Sequence, residues 1–578
     1  MSLGTSLYTT ITGLKTTESR LDAVSSNVTN ADKAGYTRKE YQSNYVTTSS
    51  GTVPTGGSIE TLAYDQYLYN AMREDSSDVA YFEIISDYLS KYSASLGSTS
   101  DSSTISSSLD NLITTIEALT QTPEDTSLKS TIVSAAEMLT YELRTLSSSV
   151  QELRADVDEQ IEVLVTEANT ALEQIEVLNK QIARAEVMGT STANLEDERR
   201  TALEALSSVI DVEYYINSDN QMSVFLGGRS LITSTSGATL LSYNSTSIVD
   251  STVVYPGGFD NVDLNGVDIT TELSKSALGA LIELRDTILV DEQLKLDEYA
   301  TTLMDEMNTL MNQGASLPAR DTIVGEEVPP VAFISSGSVR IATVDSAGTI
   351  ANVVDLNLAG ATSIGDIVLL INGSAIGADV TASVTANGEL QLVANNAGEG
   401  ISINESTSSI GVDAEGFAKF FGLNNMFDGT DASDIYVSDY LRTSSEYMVT
   451  TQLSLTAVVG EVGVSIGSAS QIEAISDLFD TAVSFSAAGD FAAQNVTLST
   501  YVGKVMSAIA TEASSAKTLY ETAHDAYETT VSNYENLTGV NVDEEMAMMV
   551  ELQSQYEAAA TLLNAIQEMF DQLMSAVN

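Results

Sequence analysis

Cysteine and tryptophan are absent from this 578-residue sequence, and His524 is its single histidine. Without cysteine the chain can form neither disulfide bonds nor thiolate metal sites. One histidine makes a hydrolase or metalloenzyme of this size a poor expectation, so we expect no catalytic site, no metal and no cofactor. The length allows three or four domains with a sizeable core, and hydrophobic residues make up 43% of the chain, so it is not disordered overall.

Positive charge is scarce as well, because 24 basic residues stand against 81 acidic ones and the formal net charge is −57. Such a surface repels nucleic acid and anionic membranes, so neither is expected as a partner. Apolar runs of the length of a transmembrane helix, about 18 residues, are lacking. The opening residues, MSLGTSLYTTITGLK, lack the basic and apolar regions of a secretory signal, so no cleavable signal is expected.

A helix is predicted over roughly residues 3–30, where apolar residues recur at alternating spacings of four and three. Thr10 and Thr17 interrupt this stripe and are expected to weaken it. We expect the stripe to pack against a partner helix. Its apolar members are Leu3, Leu7, Leu14, Leu21, Val24 and Val28.

The last helix is predicted over residues 541–578, and its apolar stripe is more regular. Asn541 is a good N-cap, with Glu544 at the third helical position as in a capping box. This helix carries only acidic charge, whereas the N-terminal segment carries both signs, so the two ends can pair. The residues of its predicted stripe are Val542, Met549, Leu552, Tyr556, Ala559, Leu563, Ile566, Phe570 and Leu573.

The middle of the chain divides by composition. Helical periodicity covers most of it, whereas VRIATV, DIVLLI and ELQLVA, with Asn-Gly pairs at 372–373 and 387–388, predict strands within residues 321–435. The predicted fold class is α+β, mainly α: paired terminal helices, a long helical-bundle body with a small β part, and an inserted β-rich domain. The predicted divisions are 1–38 with 541–578, 39–320 with 436–540 including hairpins near 209–272, and 321–435.

Three strings resemble the family of flagellar axial proteins. The first, SSNVTNADKAGYTR, resembles the N-terminal motif of rod, hook and first hook-associated proteins, and its GYTR ending favours the hook–filament junction type. The second, at 538–574, resembles the family's C-terminal motif, and EGFAKFFGLNNMFDG at 415–429 is similar to a segment of many junction proteins. The matching residues of the first motif are Asn27, Asn30, Gly35, Tyr36 and Arg38.

The resemblance implies a structural adaptor in the extracellular flagellum, without enzymatic activity. It implies terminal helices whose stripes act in assembly by pairing along the axis. It also implies a β domain that projects outward, and export in an unfolded state through the flagellar type III pathway. The implied partners are the flagellar hook protein, the second hook–filament junction protein, further copies of the chain in a ring, and a flagellar export chaperone. The chief alternative is another axial protein, such as a hook protein.

Two motifs match sites with other functions, a serine-hydrolase nucleophile and a calcium-binding loop. GVSIG at 463–467 matches the nucleophile elbow of serine hydrolases, with Ser465 as nucleophile and Asp477 or Asp480 and His524 after it in the expected order. The surrounding pattern lacks the alternating strands and helices of that fold, and His524 falls in a helix middle. NVDLNGVDITTE at 261–272 matches a calcium-loop spacing, but the alternation around Asn-Gly favours a β-hairpin.

Overall fold

The computed structural model describes residues 3–33, 35–48, 51–61, 65–97, 104–233 and 237–577. Helices dominate these residues, and small antiparallel sheets account for most of the remainder, which confirms the predicted mainly-α class. The helices are α1 (Leu3–Thr29), α2 (Gln66–Leu96), α3 (Ile105–Gln121), α4 (Thr126–Met188), α5 (Ala193–Val209), α6 (Ala277–Glu283), α7 (Leu289–Gln313), α8 (Ile364–Gly373), α9 (Phe417–Phe420), α10 (Asp439–Thr443), α11 (Ser470–Asp480), α12 (Leu498–Thr538) and α13 (Val542–Val577).

The helical body is built around α4, whose 63 residues make it about 95 Å long. Asp125 caps its start by accepting hydrogen bonds from the N–H groups of Ser127 and Leu128, and Gly189 ends it in the left-handed conformation. Helices α3, α5, α6 and α7 pack against α4, and α12 runs along α2. One continuous apolar core joins these helices. Within the described ranges, every helix is too short or too polar to cross a bilayer.

The helical body also contains short strands. A hairpin within residues 261–272 turns at Asn265 and Gly266, whose φ angles of 59° and 83° are those of a type I′ turn. The hairpin prediction for this segment is therefore confirmed. The strands of the body's first part are β1 (Lys39–Thr48), β2 (Gly51–Thr61), β3 (Glu213–Ile216), β4 (Met222–Leu226), β5 (Arg229–Ile232), β6 (Leu241–Ser242), β7 (Asp263–Leu264) and β8 (Val267–Asp268).

Strands β1 and β2 form a two-stranded antiparallel sheet beside α1. Gly51, Pro54, Gly56 and Gly57 predict loops in the sequence, yet the structure places all four in β2. Pro54 lies opposite Tyr45, where the pairing register shifts. A bulge in a two-stranded sheet tolerates proline because the ladder is already interrupted there, which explains the difference.

A second, separate core lies entirely between Ile323 and Leu423. Its two main sheets have the strand orders β12-β11-β15 and β13-β14-β9. We refer to these residues as the β domain; the boundaries at 321 and 435 stay a prediction. Its strands are β9 (Thr322–Val324), β10 (Ser335–Ser336), β11 (Ser338–Val344), β12 (Ile350–Asn357), β13 (Val380–Val384), β14 (Leu390–Ala394), β15 (Gly400–Asn404) and β16 (Ser409–Ile410).

The run DIVLLI is helical and lies in α8, so the strand prediction for it is wrong. Ser363 caps this helix by accepting from the Asp366 N–H, and the Asp366 carboxylate accepts from the Ser363 hydroxyl and the Thr362 N–H. Such reciprocal capping fixes a helix start, whereas a six-residue apolar run suits a buried strand and a buried helix equally well. The Asn-Gly pair at 387–388 does form the turn between β13 and β14.

The segment 415–429 crosses from one core to the other. Phe417 and Phe421 are buried in the β domain, whereas Met426 and Phe427 are buried in the helical body. Asn308 of α7 fixes the crossing, since its amide accepts from the Met426 N–H at 2.8 Å and donates to the Phe427 carbonyl at 2.7 Å. The remaining strands, β17 (Phe427–Asp428), β18 (Tyr436–Val437), β19 (Val483–Phe485) and β20 (Gln494–Val496), belong to the body side.

Candidate assembly site at the chain termini

Helices α1 and α13 pack against each other along their length. In α1 the buried residues at seven-residue intervals are Thr10, Thr17 and Val24. The two threonine hydroxyls donate to carbonyl oxygens of their own helix, at Ser6 and Gly13. Since these hydroxyls are already hydrogen-bonded, burying them leaves no donor unpaired. The threonines therefore lie on the most buried line of the helix, although they interrupt the apolar pattern.

The other predicted residues of α1 flank this line. Val24 is buried, and the residues that are half-buried are Leu3, Leu7, Leu14, Leu21 and Val28. Their apolar surface is thus only partly covered within one copy of the chain. Whether they act in assembly stays a prediction.

In α13 the most buried line consists of Leu552, Ala559 and Ile566, with Glu545 seven residues before Leu552. The predicted residues that are half-buried are Met549, Leu563 and Phe570. Those that are exposed are Val542, Tyr556 and Leu573. The helix begins as predicted, because Asn541 accepts hydrogen bonds from the N–H groups of Asp543 and Glu544.

A buried polar cluster joins the base of this helix pair. Asn27 and Glu545 are each only 1% exposed. The Asn27 amide donates to Glu545 Oε2 and to the Lys39 carbonyl, both at 3.0 Å. Its oxygen accepts from the Lys39 N–H at 2.8 Å and from the Tyr36 hydroxyl at 3.0 Å. Both hydrogens and both lone pairs of the Asn27 amide are therefore used, which no other side chain of this size could reproduce.

Arg38 closes the same cluster from the other side. Its Nε donates to Glu545 Oε1 at 2.8 Å, so both oxygens of the buried carboxylate are bonded. Its backbone N–H donates to the Thr538 carbonyl at 2.8 Å. Residue 38 thus holds the last turn of α12 and the first turn of α13 together.

The neighbouring residues of the same segment attach it to the helical body. The Lys39 ammonium and the Arg200 guanidinium both pair with the carboxylate of Asp197 in α5. Thr37 donates to that carboxylate through its hydroxyl, at 2.7 Å, and its N–H, at 3.2 Å. In an extended chain successive side chains point in opposite directions, so residues 37 and 39 reach α5 while Arg38 reaches Glu545. We call Asn27, Arg38, Lys39, Asp197 and Glu545 the terminal clasp.

The remaining motif residues shape the turn between α1 and the clasp. Asn30 donates through its side-chain amide to the Ser26 carbonyl at 2.8 Å, which closes the helix end. Gly35 has φ +73°, and a Cβ there would lie 2.5 Å from Thr201 Oγ1. The Tyr36 ring lies 5.0 Å from the Lys39 ammonium, and burial raises the pKa of its hydroxyl, which therefore stays protonated and can donate to Asn27.

Four members of this site were not predicted from the sequence: Thr37, Lys39, Asp197 and Glu545. Glu545 could have been found, because it occupies the seven-residue line that continues through Leu552. Asp197 gives no local signal that it belongs to this site, since Thr37 and Lys39 lie about 160 residues away along the chain.

The two competing motifs do not form sites. Ser465 lies in an exposed loop, and among the described residues no hydrogen bond joins it to Asp477, Asp480 or His524. His524 lies within α12, 3.9 Å from Glu528. In the calcium-like loop, Glu272 pairs with Arg229 at 3.0 Å, so this carboxylate is already engaged. No group of three or more metal-binding side chains is found in the part of the chain that the structure describes.

The fold and the clasp define a class: a structural protein whose two chain ends pair as helices and are fixed to a helical body. Residues 90–323 match the family model described as the helical domain of flagellar hook-associated protein FlgK. Residues 531–576 match the model of the flagellar basal body rod FlgEFG protein C-terminal region. The second match covers the end of α12 and nearly all of α13.

Relatives match along the whole chain. Flagellar hook-associated protein 1 of Escherichia coli is 23% identical over 583 residues, covering 98% of each chain. The Salmonella typhimurium protein of the same name is 22% identical with the same coverage. The solved structure of the flagellar hook junction protein FlgK from Burkholderia pseudomallei covers 81% of this chain at 15% identity, with a TM-score of 0.45. Over 98% of its length the chain is therefore similar to flagellar hook-associated protein 1, and its helical body matches the model of that protein's helical domain.

Proposed function

We propose that this protein is the adaptor that joins the bacterial flagellar hook to the filament. The observation that carries the proposal is the terminal clasp, which fixes both chain ends to one point of the helical body. An axial assembly needs this arrangement, because the paired termini must lie at a defined angle to the body in every copy. The similarity to flagellar hook-associated protein 1 supports the place in the flagellum.

The outer face of the terminal helices supplies the assembly surface in this proposal. Apolar side chains of α13 that stay exposed include Met546, Val550, Leu562 and Leu573. One helix pair cannot cover its own outer face, so neighbouring copies cover it in the ring. Removing these side chains from water stabilises the assembly, at about 25 cal/mol per Å² of apolar surface. Leu563 and Phe570, which are half-buried in the single chain, become fully buried there.

The partners follow from the place of the adaptor. The hook protein contacts one side of the ring and the second hook–filament junction protein contacts the other. Each copy therefore presents two different faces, as heterologous rings require. The chain reaches this place unfolded through the type III pathway, and an export chaperone covers the apolar terminal helices beforehand.

A hook protein is the second candidate, since the match at residues 531–576 extends to rod-type proteins. Deleting the gene separates the two. Loss of an adaptor leaves hooks without filaments while monomeric flagellin appears in the medium. Loss of a hook protein removes the hooks themselves, and that outcome would replace the proposal.

A clasp variant tests the mechanism in the same cells. Glu545→Ala leaves the Arg38 guanidinium and the Asn27 amide without their acceptor, so filament attachment should fail while the secreted chain stays folded. Glu544→Ala, in the same helical turn but exposed, is the matched control. Normal filaments in the Glu545→Ala strain would show that the clasp is not needed for assembly.

A further inference from the structure

A cleft of about 1030 Å³ lies between α7 and the β domain. Asp305 and Asn308 of α7 line one side of it, and the chain segments that follow Gly325 and Ile410 line the other. Residues of the segment 425–436 complete the lining. A space of this size holds a small ligand or a few residues of a peptide.

The walls of the cleft are strongly acidic. Among the described residues that line it, seven side chains are acidic and Lys419 is the only basic one. Lys419 is already neutralised, because its ammonium contacts Asp305 at 2.6 Å and Glu415 at 3.6 Å. The other five acids form no ion pair with any described residue; they are Glu326, Glu327, Asp413, Asp428 and Asp434.

Asp428 is the most deeply buried of these five acids, with only 8% of its surface exposed. Its Oδ1 accepts from the Asn425 amide at 3.5 Å, and its Oδ2 has no hydrogen-bond partner among the described residues. A buried carboxylate oxygen without a donor is costly, and folded proteins contain few of them. The cleft therefore contains an acceptor for which this chain supplies no donor.

Glu326 and Glu327 lie near Asp428, and both are exposed to the water in the cleft. The cleft walls displace part of this water and the Asp428 carboxylate repels the added charge, which together raise the pKa of Glu326 to about 7. The Arg320 guanidinium offsets this effect only in part, because it is bonded to a backbone carbonyl and lies 3.9 Å from the centre of the Tyr440 ring. A cation bound among these carboxylates would remove their mutual repulsion.

The arrangement of these carboxylates favours an organic cation over a metal ion. Within the described ranges no three metal-binding side chains converge closely enough to hold a metal. A guanidinium or an ammonium on a flexible stem can instead reach separated carboxylates through several directed hydrogen bonds.

An apolar surface borders the acidic walls. Pro329 and Pro330 restrict its backbone, and the Phe333 N–H anchors it by donating to the Thr362 carbonyl at 2.9 Å. A segment that enters the cleft therefore meets carboxylates inside and rigidly held apolar side chains at the rim. The complementary occupant is a basic side chain flanked by apolar side chains. Four residues at the rim are 58–95% exposed, and we call them the apolar lip: Val328, Val331, Ile334 and Val412.

This chain does not present such a segment on its own surface. Lys295 and Arg340 are the only basic residues of the sequence that stand directly between two residues of the set Val, Ile, Leu, Met, Phe and Tyr. Lys295 is 1% exposed and pairs with Glu292, and Arg340 is 6% exposed and pairs with Asp355. A second copy therefore cannot supply the occupant, and charge complementarity to this acidic cleft points to a basic segment of a different protein.

We propose that the cleft binds a segment of another protein in which an arginine or a lysine stands between apolar residues. The cation pairs with Glu326, Glu327 and Asp428, and its apolar neighbours cover the apolar lip. The site is separate from the terminal helices, so the inference goes beyond the adaptor function and does not depend on it.

A peptide array tests the proposal on the purified full-length chain. The probes are acetylated, amidated pentapeptides with a central arginine and with valine, leucine or isoleucine at the other positions. The same peptides with citrulline, which keeps the shape of arginine without its charge, are the matched controls. The best arginine peptide should bind about tenfold more tightly than its citrulline counterpart. Lack of binding by every arginine peptide, or equal binding of the citrulline peptides, would overturn the proposal.

Variants of the chain locate the binding site. Glu326→Gln and Val412→Ser should each weaken binding of the best arginine peptide by about tenfold, because one removes a charge and the other an apolar contact. Both residues are exposed, so the fold is retained. Glu461→Gln and Val384→Ser, at exposed positions that do not line the cleft, are the matched controls and should bind normally. Unchanged binding in the Glu326→Gln and Val412→Ser chains would place the peptide elsewhere and contradict the assignment.

Two further measurements separate other occupants. Displacement of the peptide by an equal concentration of spermidine would mean that any organic cation fills the cleft, and dimers of the purified chain that Glu326→Gln abolishes would mean that a second copy does. Either result would replace the proposed segment. None of these outcomes touches the adaptor function, which the deletion phenotype tests by itself.

Discussion

Asn27 and Glu545 lie 518 residues apart in the sequence, yet the amide nitrogen of Asn27 is 3.0 Å from Oε2 of Glu545. The contact joins α1 near its end to α13 near its start, beside the segment that attaches both helices to α5. The pairing of the termini and their attachment to the body are therefore parts of one hydrogen-bonded network.

Asn27→Ala should weaken the attachment of α1 and α13 at the terminal clasp. It removes a donor from the buried Glu545 carboxylate and leaves the Lys39 N–H without its acceptor, at a cost of about 1–3 kcal/mol. Amide hydrogen exchange in the first turns of α13 should then be roughly tenfold to a hundredfold faster. Ser25→Ala, on the exposed side of the same helix, should leave exchange unchanged. Unaltered protection in the Asn27→Ala chain would contradict the role of the clasp.

Asp197→Asn should lower the free energy of unfolding more than Asn27→Ala does, because it removes the carboxylate that contacts both Lys39 and Arg200. The Lys39 and Arg200 side chains then lose the carboxylate that they share, and breaking a buried ion pair costs about 3–5 kcal/mol. Urea unfolding should show a lower midpoint. Adding Lys39→Met to Asp197→Asn removes the repulsion between Lys39 and Arg200 and should restore part of the lost stability. If the double variant is no more stable than Asp197→Asn alone, the charge explanation fails.

Gly35→Ala tests the turn between α1 and the clasp. A Cβ at this position meets Thr201 Oγ1, and the positive φ adds strain, so the change should destabilise docking of the termini by about 1–2 kcal/mol. Gly13→Ala is the contrast, because nothing lies within 4 Å of a Cβ there and the residue is helical. That substitution should stabilise α1 by about 0.5–1 kcal/mol. Equal effects of the two substitutions on α1 and α13 exchange rates would refute the argument.

Asp428→Asn tests a buried acid at the cleft beside the β domain. Burial raises the Asp428 pKa from its ordinary value to about 6, and its Oδ2 has no hydrogen-bond partner. The folded state therefore binds its proton more tightly than the unfolded state does. As the pH rises from about 4 to about 6, the contribution of Asp428 to the free energy of unfolding falls by on the order of 2 kcal/mol. It stays low at higher pH.

Denaturant titrations at several pH values measure the slope of the free energy of unfolding against pH. Asp428→Asn should flatten it and raise stability at pH 8, whereas Asp413→Asn, an exposed acid on the same cleft, should change neither. An unchanged slope in the Asp428→Asn chain would mean that this carboxyl titrates normally in the folded protein.

The sequence by itself determined the elements that depend on local patterns. The seven-residue spacing of α13, the cap at Asn541 and the Asn265–Gly266 turn are each specified within a few neighbouring residues, and the structure contains them. The absence of cysteine and the excess of carboxylates likewise limited the possible chemistry before any fold was known.

Tertiary structure alone decided the features that depend on distant partners. Thr10 and Thr17 look like interruptions in the sequence, but the helix pair buries them because their hydroxyls bond within α1. DIVLLI is apolar enough for a strand; the cap formed by Ser363 and Asp366 is a local signal for a helix, and only the fold provides the β-domain core that covers Ile367 and Ile371. Asp197 is one acidic residue among many until folding brings Thr37, Lys39 and Arg200 around it. A side chain's role depends on what surrounds it, and for these residues the surroundings come from parts of the chain that local periodicity cannot reach.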